Sequence, residues 1–218
     1  MRVIRVMCSG RVDLDFILRA FSRGHDGVFI GGCRLNECNY TTHGNYDALG
    51  NVYLCKKILS ALGINPQRLK IDFLSAADGN LLAEFSDNFI QRVKVLGPLG
   101  TEHGMGAKEL QFKLAAARKM VPYVKLVERE RMRVPLKSEQ AYRTFFTSET
   151  FEKLFTDLIG DKLTVSQMLL LLAAKPLSTM QISEKLGLNP AEVSKHIKNS
   201  SKHRLVRYDV GSKCYALA

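Results

Sequence analysis

Residues 178–203 read STMQISEKLGLNPAEVSKHIKNSSKH, and their punctuation decides the fold of the C-terminal third. Ser178 stands where a helix N-cap belongs, Gln181 holds the third helical position, and Gly187 ends that short helix. Asn189 caps the next helix, with Pro190 at its first position and Glu192 at its third. Two capped helices separated by a Gly-containing turn form a helix-turn-helix. Beyond them, Leu205–Tyr208 and Lys213–Leu217 alternate apolar with polar residues around Gly211-Ser212, as a small hairpin does. The spacing predicts a winged helix-turn-helix, preceded by apolar-faced helices at Ser148–Ile159 and Thr164–Ala174. On its second helix Val193 and Ile197 are expected inward, leaving Ser194, Lys195 and Lys198 outward, with Lys202, Arg204, Arg207 and Lys213 around the wing. Those cations suit phosphates. No outward Arg, Asn or Gln is expected on the helix to give bidentate base contacts, which ranks protein docking ahead of specific DNA recognition. His196 and His203 read as ordinary surface or half-buried residues.

Upstream, Gly97-Pro98-Leu99-Gly100 with Gly104 and Gly106 makes the clearest break in the chain. Lys108–Val134 after it reads as a long charged helix kinked at Pro122, a connector or docking arm. Before it, short β-rich runs alternate with helical periods: strands at Arg2–Met7, Gly27–Gly31 and Leu69–Leu74, helices at Asp13–Arg23, Tyr46–Leu62 and Asn80–Val95. Three βα units in succession predict an α/β fold, a small doubly wound parallel sheet covered by helices. The expected division is 1–100 for the α/β domain, 101–147 for the helical connector and 148–218 for the winged helix.

The chain has 218 residues and a formal charge of +11. Divided along the chain, that charge is +3 over 1–100, +4 over 101–150 and +4 over 151–218. An excess so evenly spread does not by itself mark a DNA-binding face. The longest uncharged apolar stretch, Leu163 to Ala174, is 12 residues, short of the roughly 20 that span a bilayer. The N-terminus alternates Arg2 and Arg5 with Val3, Ile4 and Val6 and has no signal-peptide core, so a cytoplasmic location is expected. Five cysteines in a reducing compartment favour metal, cluster or redox chemistry over disulfides.

Cys8 follows the first expected strand, Cys33 follows the second, and Cys38 lies in the same loop as Cys33. In a parallel sheet these carboxyl ends share one edge, the edge where such folds hold ligands. Three thiolates there could take zinc with a fourth ligand, and His43 is close in sequence. They could also take an iron-sulfur cluster, since a Cys-x4-Cys pair occurs in 2Fe-2S proteins. Cys55, inside a helix, and Cys214, in the wing, read as structural.

Several motifs in order carry a resemblance: Val6-Met7-Cys8-Ser9-Gly10-Arg11-Val12-Asp13, Gly32-Cys33 to Cys38-x-Tyr40, Gly44-Asn45-Tyr46, Ser75-Ala76-Ala77-Asp78-Gly79 and Leu96-Gly97-Pro98-Leu99. Together, over about residues 2–99, the chain resembles the delta-subunit family of methyl-viologen-reducing hydrogenase, the iron-sulfur subunit that accompanies heterodisulfide reductase. The resemblance implies a 2Fe-2S cluster held by Cys8, Cys33 and Cys38. It also implies electron transfer between a hydrogenase, or another donor module, and a heterodisulfide-reductase-like flavoprotein subunit. Family members open with an additional strand and a Cys-Cys-x-x-Cys loop, which this sequence lacks ahead of Met1. Three expectations follow: another polypeptide supplies the strand and cysteine, the true start lies upstream, or the cluster has been lost.

Three functions compete. Electron transfer fits the lack of a Gly-x-Gly-x-x-Gly turn, a phosphate-binding loop or a nucleophile elbow. A cluster- or thiol-based redox sensor would bind DNA through the winged helix. A cysteine-dependent enzyme would use Cys33 or Cys38 with His43 or His25 as base, but no third group orients that pair.

Overall fold

The computed structural model describes residues 1–40, 43–75, 77–101 and 104–218, so the expected turn at Ser75–Gly79 is described except for Ala76. The chain divides into two compact units, Met1–Lys153 and Leu154–Ala218. Among the described residues no helix is long and apolar enough to cross a membrane.

The first unit is a βαβ core with helices packed on it. Helix α1 (Leu14–Ser22) starts at Asp13, whose carboxylate accepts the N–H groups of Asp15 and Phe16. Its face of Leu14, Ile17, Leu18 and Phe21 is completely or almost completely buried, as the i, i+3, i+4 spacing requires. Strand β1 (Val28–Gly32) pairs in parallel with β2 (Leu69–Phe73), Val28 opposite Leu69 and Gly32 opposite Phe73. The connection between them carries α2 (Asn45–Ala61), whose Leu54, Cys55 and Leu59 are fully buried. Helix α3 (Gly79–Leu96) follows and is ended by Gly97 at φ 72°, a left-handed value that glycine adopts without strain.

The sheet of this unit therefore has two strands where three were expected. Arg2–Met7 forms no strand, and Met1, Val3, Ile4 and Met7 are each more than three-quarters exposed. The alternation of its side chains is genuine, but β-propensity expresses packing against neighbouring strands. Among the described residues no strand pairs with this segment.

Helix α4 (Ala107–Arg131) runs through Pro122 and lies on α1, where Arg118 pairs with Asp15 at 3.0 Å and Lys125 with Asp13 at 2.9 Å. A further helix, α5 (Glu139–Phe146), was not expected from the sequence. It is capped by Ser138, which accepts the Ala141 N–H. The helix docks on α2 through aromatic contacts: Tyr142 against Tyr46 at 5.3 Å and Phe146 stacked on Tyr53 at 5.2 Å. Helix α6 (Glu149–Phe155) contains the division between the two units.

The second unit is the winged helix. After a π-helical turn at Thr156–Gly160 come α7 (Asp161–Ala174), α8 (Thr179–Leu186) and α9 (Pro190–Lys202). Both expected capping boxes form, Ser178 with Gln181 and Asn189 with Glu192. Strands β3 (Val206–Asp209) and β4 (Cys214–Leu217) make the antiparallel wing. Met168, Leu172, Leu177, Ile182, Val193, Ile197 and Val206 form one core. Two expectations on α9 need correction. His196 is buried, and Asn199 is exposed, so the helix does present one amide side chain outward.

Candidate functional site

The site is built where β1 ends and α2 begins, and glycines let its walls approach. Cys8 opens a single 3-10 turn, Ser9–Arg11, and its sulfur accepts the Gly10 N–H at 3.4 Å. A Cβ on Gly10 would stand 2.7 Å from the Gly44 carbonyl oxygen and 2.8 Å from that of His43. Only glycine lets the Cys8 turn lie against the peptide that starts α2. On the other side, a Cβ on Gly44 would stand 2.5 Å from Cys38 Sγ.

Asn45, the first residue of α2 and nearly fully buried, holds the loop after β1. Its Nδ2 donates to the carbonyl oxygens of Cys33 at 3.0 Å and Arg34 at 2.8 Å, and lies 3.8 Å from Cys33 Sγ. Tyr46 donates its hydroxyl to Asn36 Oδ1 at 2.9 Å. Arg34 reaches Asp78 at 2.6 Å, and the same carboxylate oxygen accepts the Ser75 N–H, which ties the loops at the carboxyl ends of both strands together.

These contacts gather Cys8, Cys33 and Cys38, the three cysteines singled out from the sequence. Cys8 and Cys38 are half-buried and Cys33 is exposed. Burial acts first on Cys33, and the Cys38 and Cys8 thiols beside it act the same way, so its pKa is raised. For Cys38, burial works upward too, but the backbone N–H groups of Asn45 and Tyr40 donate to its sulfur, and the Cys33 and Cys8 thiols also donate, so its pKa is lowered. Gly44 caps α2 without a side-chain bond, so Cys38 Sγ takes the place of a capping oxygen. The positive end of the helix favours a thiolate there.

A cavity of about 190 Å³ opens beside Cys38, lined also by Asn36, Tyr40, Gly44, Asn45, Tyr46 and Lys137. Cys55 is fully buried in α2, and burial alone pushes its thiol up; Cys214 sits in the wing on β4. His25 lies in the turn that closes α1, and His43 lies beside Gly44 with Nδ1 3.2 Å from Asp47 Oδ2.

Among the described residues, no group of three or more His, Cys, Asp or Glu already stands at metal-binding spacing. The three thiols interact with one another without forming a finished coordination shell. Their chemistry nevertheless suits a thiolate-ligated metal or cluster: sulfurs that accept N–H bonds are the environment that stabilises such centres. A 2Fe-2S cluster takes four ligands, of which Cys8, Cys33 and Cys38 would provide three.

Sequence reasoning found the cysteines but not the role of Asn45, which depends on a fold-level contact with a loop 12 residues away. It considered His43 as a fourth metal ligand and as a base, on nearness in sequence, but not its pairing with Asp47. The His43-x-x-x-Asp47 spacing was a usable signal, since residues four apart at a helix start meet on one face.

Comparison with known proteins places two regions. Residues 1–97 match the family described as methyl-viologen-reducing hydrogenase, delta subunit. Residues 163–208 match the arsR family of bacterial regulatory proteins. The iron-sulfur subunit of the F420-non-reducing hydrogenase of Archaeoglobus profundus is 43% identical over 101 residues, 46% of this chain and 73% of that protein. The iron-sulfur subunit of the vhu F420-non-reducing hydrogenase of Methanococcus maripaludis is 44% identical over 97 residues, 44% of this chain and 72% of that protein. A larger relative belongs to the ferredoxin/F(420)H(2)-dependent CoB-CoM heterodisulfide reductase of Methanosarcina acetivorans, one of whose subunits is 41% identical over 101 residues. That match is 46% of this chain but spans only 13% of the length of the reductase polypeptide.

Proposed function

The chain belongs to the delta-subunit family of methyl-viologen-reducing hydrogenase, and from that premise we propose that it is a cytoplasmic electron-transfer subunit. Its partners in this reading are a hydrogenase or similar donor and a heterodisulfide-reductase-like flavoprotein. The observation that supports it is the convergence of Cys8, Cys33 and Cys38 at the start of α2, with N–H groups directed at their sulfurs. A 2Fe-2S cluster bound there would supply one-electron transfer.

The chain's own residues do the rest. Cys8, Cys33 and Cys38 bind. Gly10 and Gly44 allow the close approach. Asn45 fixes the Cys33 loop, and its backbone N–H, with that of Tyr40, stabilises negative charge on Cys38. The exposed Cys33 gives a partner's redox centre a short approach. In this division residues 1–100 carry the redox module, 101–147 support it as a helical connector and 148–218 form the winged-helix module. The remaining ligand comes from this chain or from a partner chain that also supplies a strand. Protein purified anaerobically with its partners should contain iron and acid-labile sulfide in equal amounts attributable to this polypeptide. Stoichiometric zinc without sulfide would overturn the reading.

A second reading concerns the C-terminal unit, where the match to a regulatory family favours DNA binding. Lys195, Lys198 and Asn199 are exposed on α9, with Lys202 at its end. Sequence-selective retardation of DNA fragments, tighter than non-specific binding by at least about a thousandfold, would establish it. Retardation that tracks salt alone would leave the winged helix a docking module.

A further inference from the structure

We propose that Cys33 and Cys38 are a redox-active dithiol, which a small hydroperoxide converts to an intramolecular disulfide. The inference goes beyond the electron-transfer reading and needs only the two thiols. Three observations carry it.

The first is the turn between them. The Glu37 N–H donates to the Arg34 carbonyl oxygen at 3.0 Å, which closes a four-residue turn. Asn36, its third residue, has φ 71°, a left-handed value that asparagine accepts at that place in a turn. Cys33 and Cys38 stand immediately before and after it. A closed turn reverses the chain and brings its flanking residues together, and the Cys33 thiol donates to the Cys38 sulfur. Side chains whose sulfurs meet have converging Cβ vectors, the condition for bridging them without backbone movement.

The second is how the turn is held. Asn45 Nδ2 donates to the carbonyl oxygens of Cys33 at 3.0 Å and Arg34 at 2.8 Å, which fixes the entrance. The exit lies against the residue before, since a Cβ on Gly44 would stand 2.5 Å from Cys38 Sγ. Both cysteines are therefore anchored to the same helix start.

The third is access. Cys33 is exposed, and Cys38 lines the cavity of about 190 Å³ together with Tyr40 and Lys137. Peroxide meets the Cys38 sulfur there, with Cys33 placed to resolve the product. An accessible cysteine beside a resolving one is the arrangement of thiols that oxidise reversibly. Cys8 also donates to Cys38, but it comes from a separate segment, where its own sulfur accepts the Gly10 N–H.

The Cys38 sulfur attacks one peroxide oxygen and the O–O bond breaks. The other oxygen leaves as an alcohol, or as water from hydrogen peroxide, with the Cys38 proton. The Cys33 sulfur then displaces hydroxide from the Cys38 sulfenic acid, the sulfur–sulfur bond forms, and the hydroxide leaves as water with the Cys33 proton. The two sulfurs give up two electrons and one peroxide takes them. Because metal ligation needs both thiolates, the disulfide and a metal held by this pair exclude each other.

The test uses the full chain, purified anaerobically, treated with a chelator and freed of reductant, with one equivalent of hydrogen peroxide as the probe. Alkylation of the remaining thiols and peptide mass mapping should find a Cys33–Cys38 bridge, with Cys8, Cys55 and Cys214 alkylated. Dithiothreitol should reverse it. In Cys33→Ser, dimedone should label Cys38; Cys38→Ser should leave Cys33 unbridged; and Cys8→Ser should form the bridge as the wild type does.

Five alkylated thiols in the wild type, a bridge from Cys8 to Cys38, or a bridge between two chains would overturn the proposal. The wild-type map decides the pairing even where a variant does not fold. Iron and sulfide in the complex with its partners are read separately. A bridge in the stripped chain with no cluster in the complex would overturn the electron-transfer reading and leave the dithiol standing; a cluster with no bridge would do the reverse.

Discussion

The winged helix and the thiol site reach their structures by opposite routes. In the C-terminal unit each helix is delimited by residues within a few positions of its ends: Ser178 with Gln181, Gly187 at φ 64°, Asn189 with Pro190 and Glu192. In the N-terminal unit the site depends on segments far apart in sequence: Cys8 against His43-Gly44, Cys33 held by Asn45, and Arg34 paired with Asp78 44 residues away. Local signals fix where elements begin and end. Site geometry comes from contacts that only the folded chain makes.

The contrast can be broken by substitutions that act on one region. The largest effect is expected at Ile182, fully buried in the winged-helix core. Ile182→Ala should cost about 2–5 kcal/mol. Hydrogen exchange on the full chain should then lose protection across α7 to β4 while α1, α2 and β1 keep theirs. Equal loss in both units would mean that they do not unfold separately. A smaller effect is expected from Gly44→Ala, where the added methyl must displace Cys38 Sγ or the loop that carries it. Overpacking of this kind costs about 1–3 kcal/mol, and faster exchange should be confined to the first turn of α2 and the Cys33–Tyr40 loop. Protection unchanged there would show that the close approach does not shape the site.

The same contrast explains what could be read in advance. Both capping boxes, the wing and the boundaries of α1 to α3 were legible to within a residue or two, because caps and apolar periodicity are written locally. Arg2–Met7 read as a strand and is not one, since its alternation says nothing about whether a partner strand is present. Helix α5 went unread although Ser138 caps it and Tyr142 and Phe146 fall four apart, because its aromatic face gains meaning only against Tyr46 and Tyr53 of α2. No outward amide was expected on α9 and His196 was expected at the surface or half-buried; the packing of α9 against its own core leaves Asn199 exposed and buries His196. Cys8, Cys33 and Cys38 were found because the carboxyl ends of parallel strands share an edge. Asn45 was not, because its bonds run to the backbone of a loop that local pattern cannot place.

The central claim is that these three cysteines, and not the other two, make one site. It is tested most directly by the iron content of five single variants of the full chain reconstituted under the same conditions: Cys8→Ser, Cys33→Ser, Cys38→Ser, Cys55→Ser and Cys214→Ser. Loss of iron in the first three, with wild-type iron in the last two, is the expected result. Wild-type iron in any of the first three, or loss in Cys214→Ser, would contradict it.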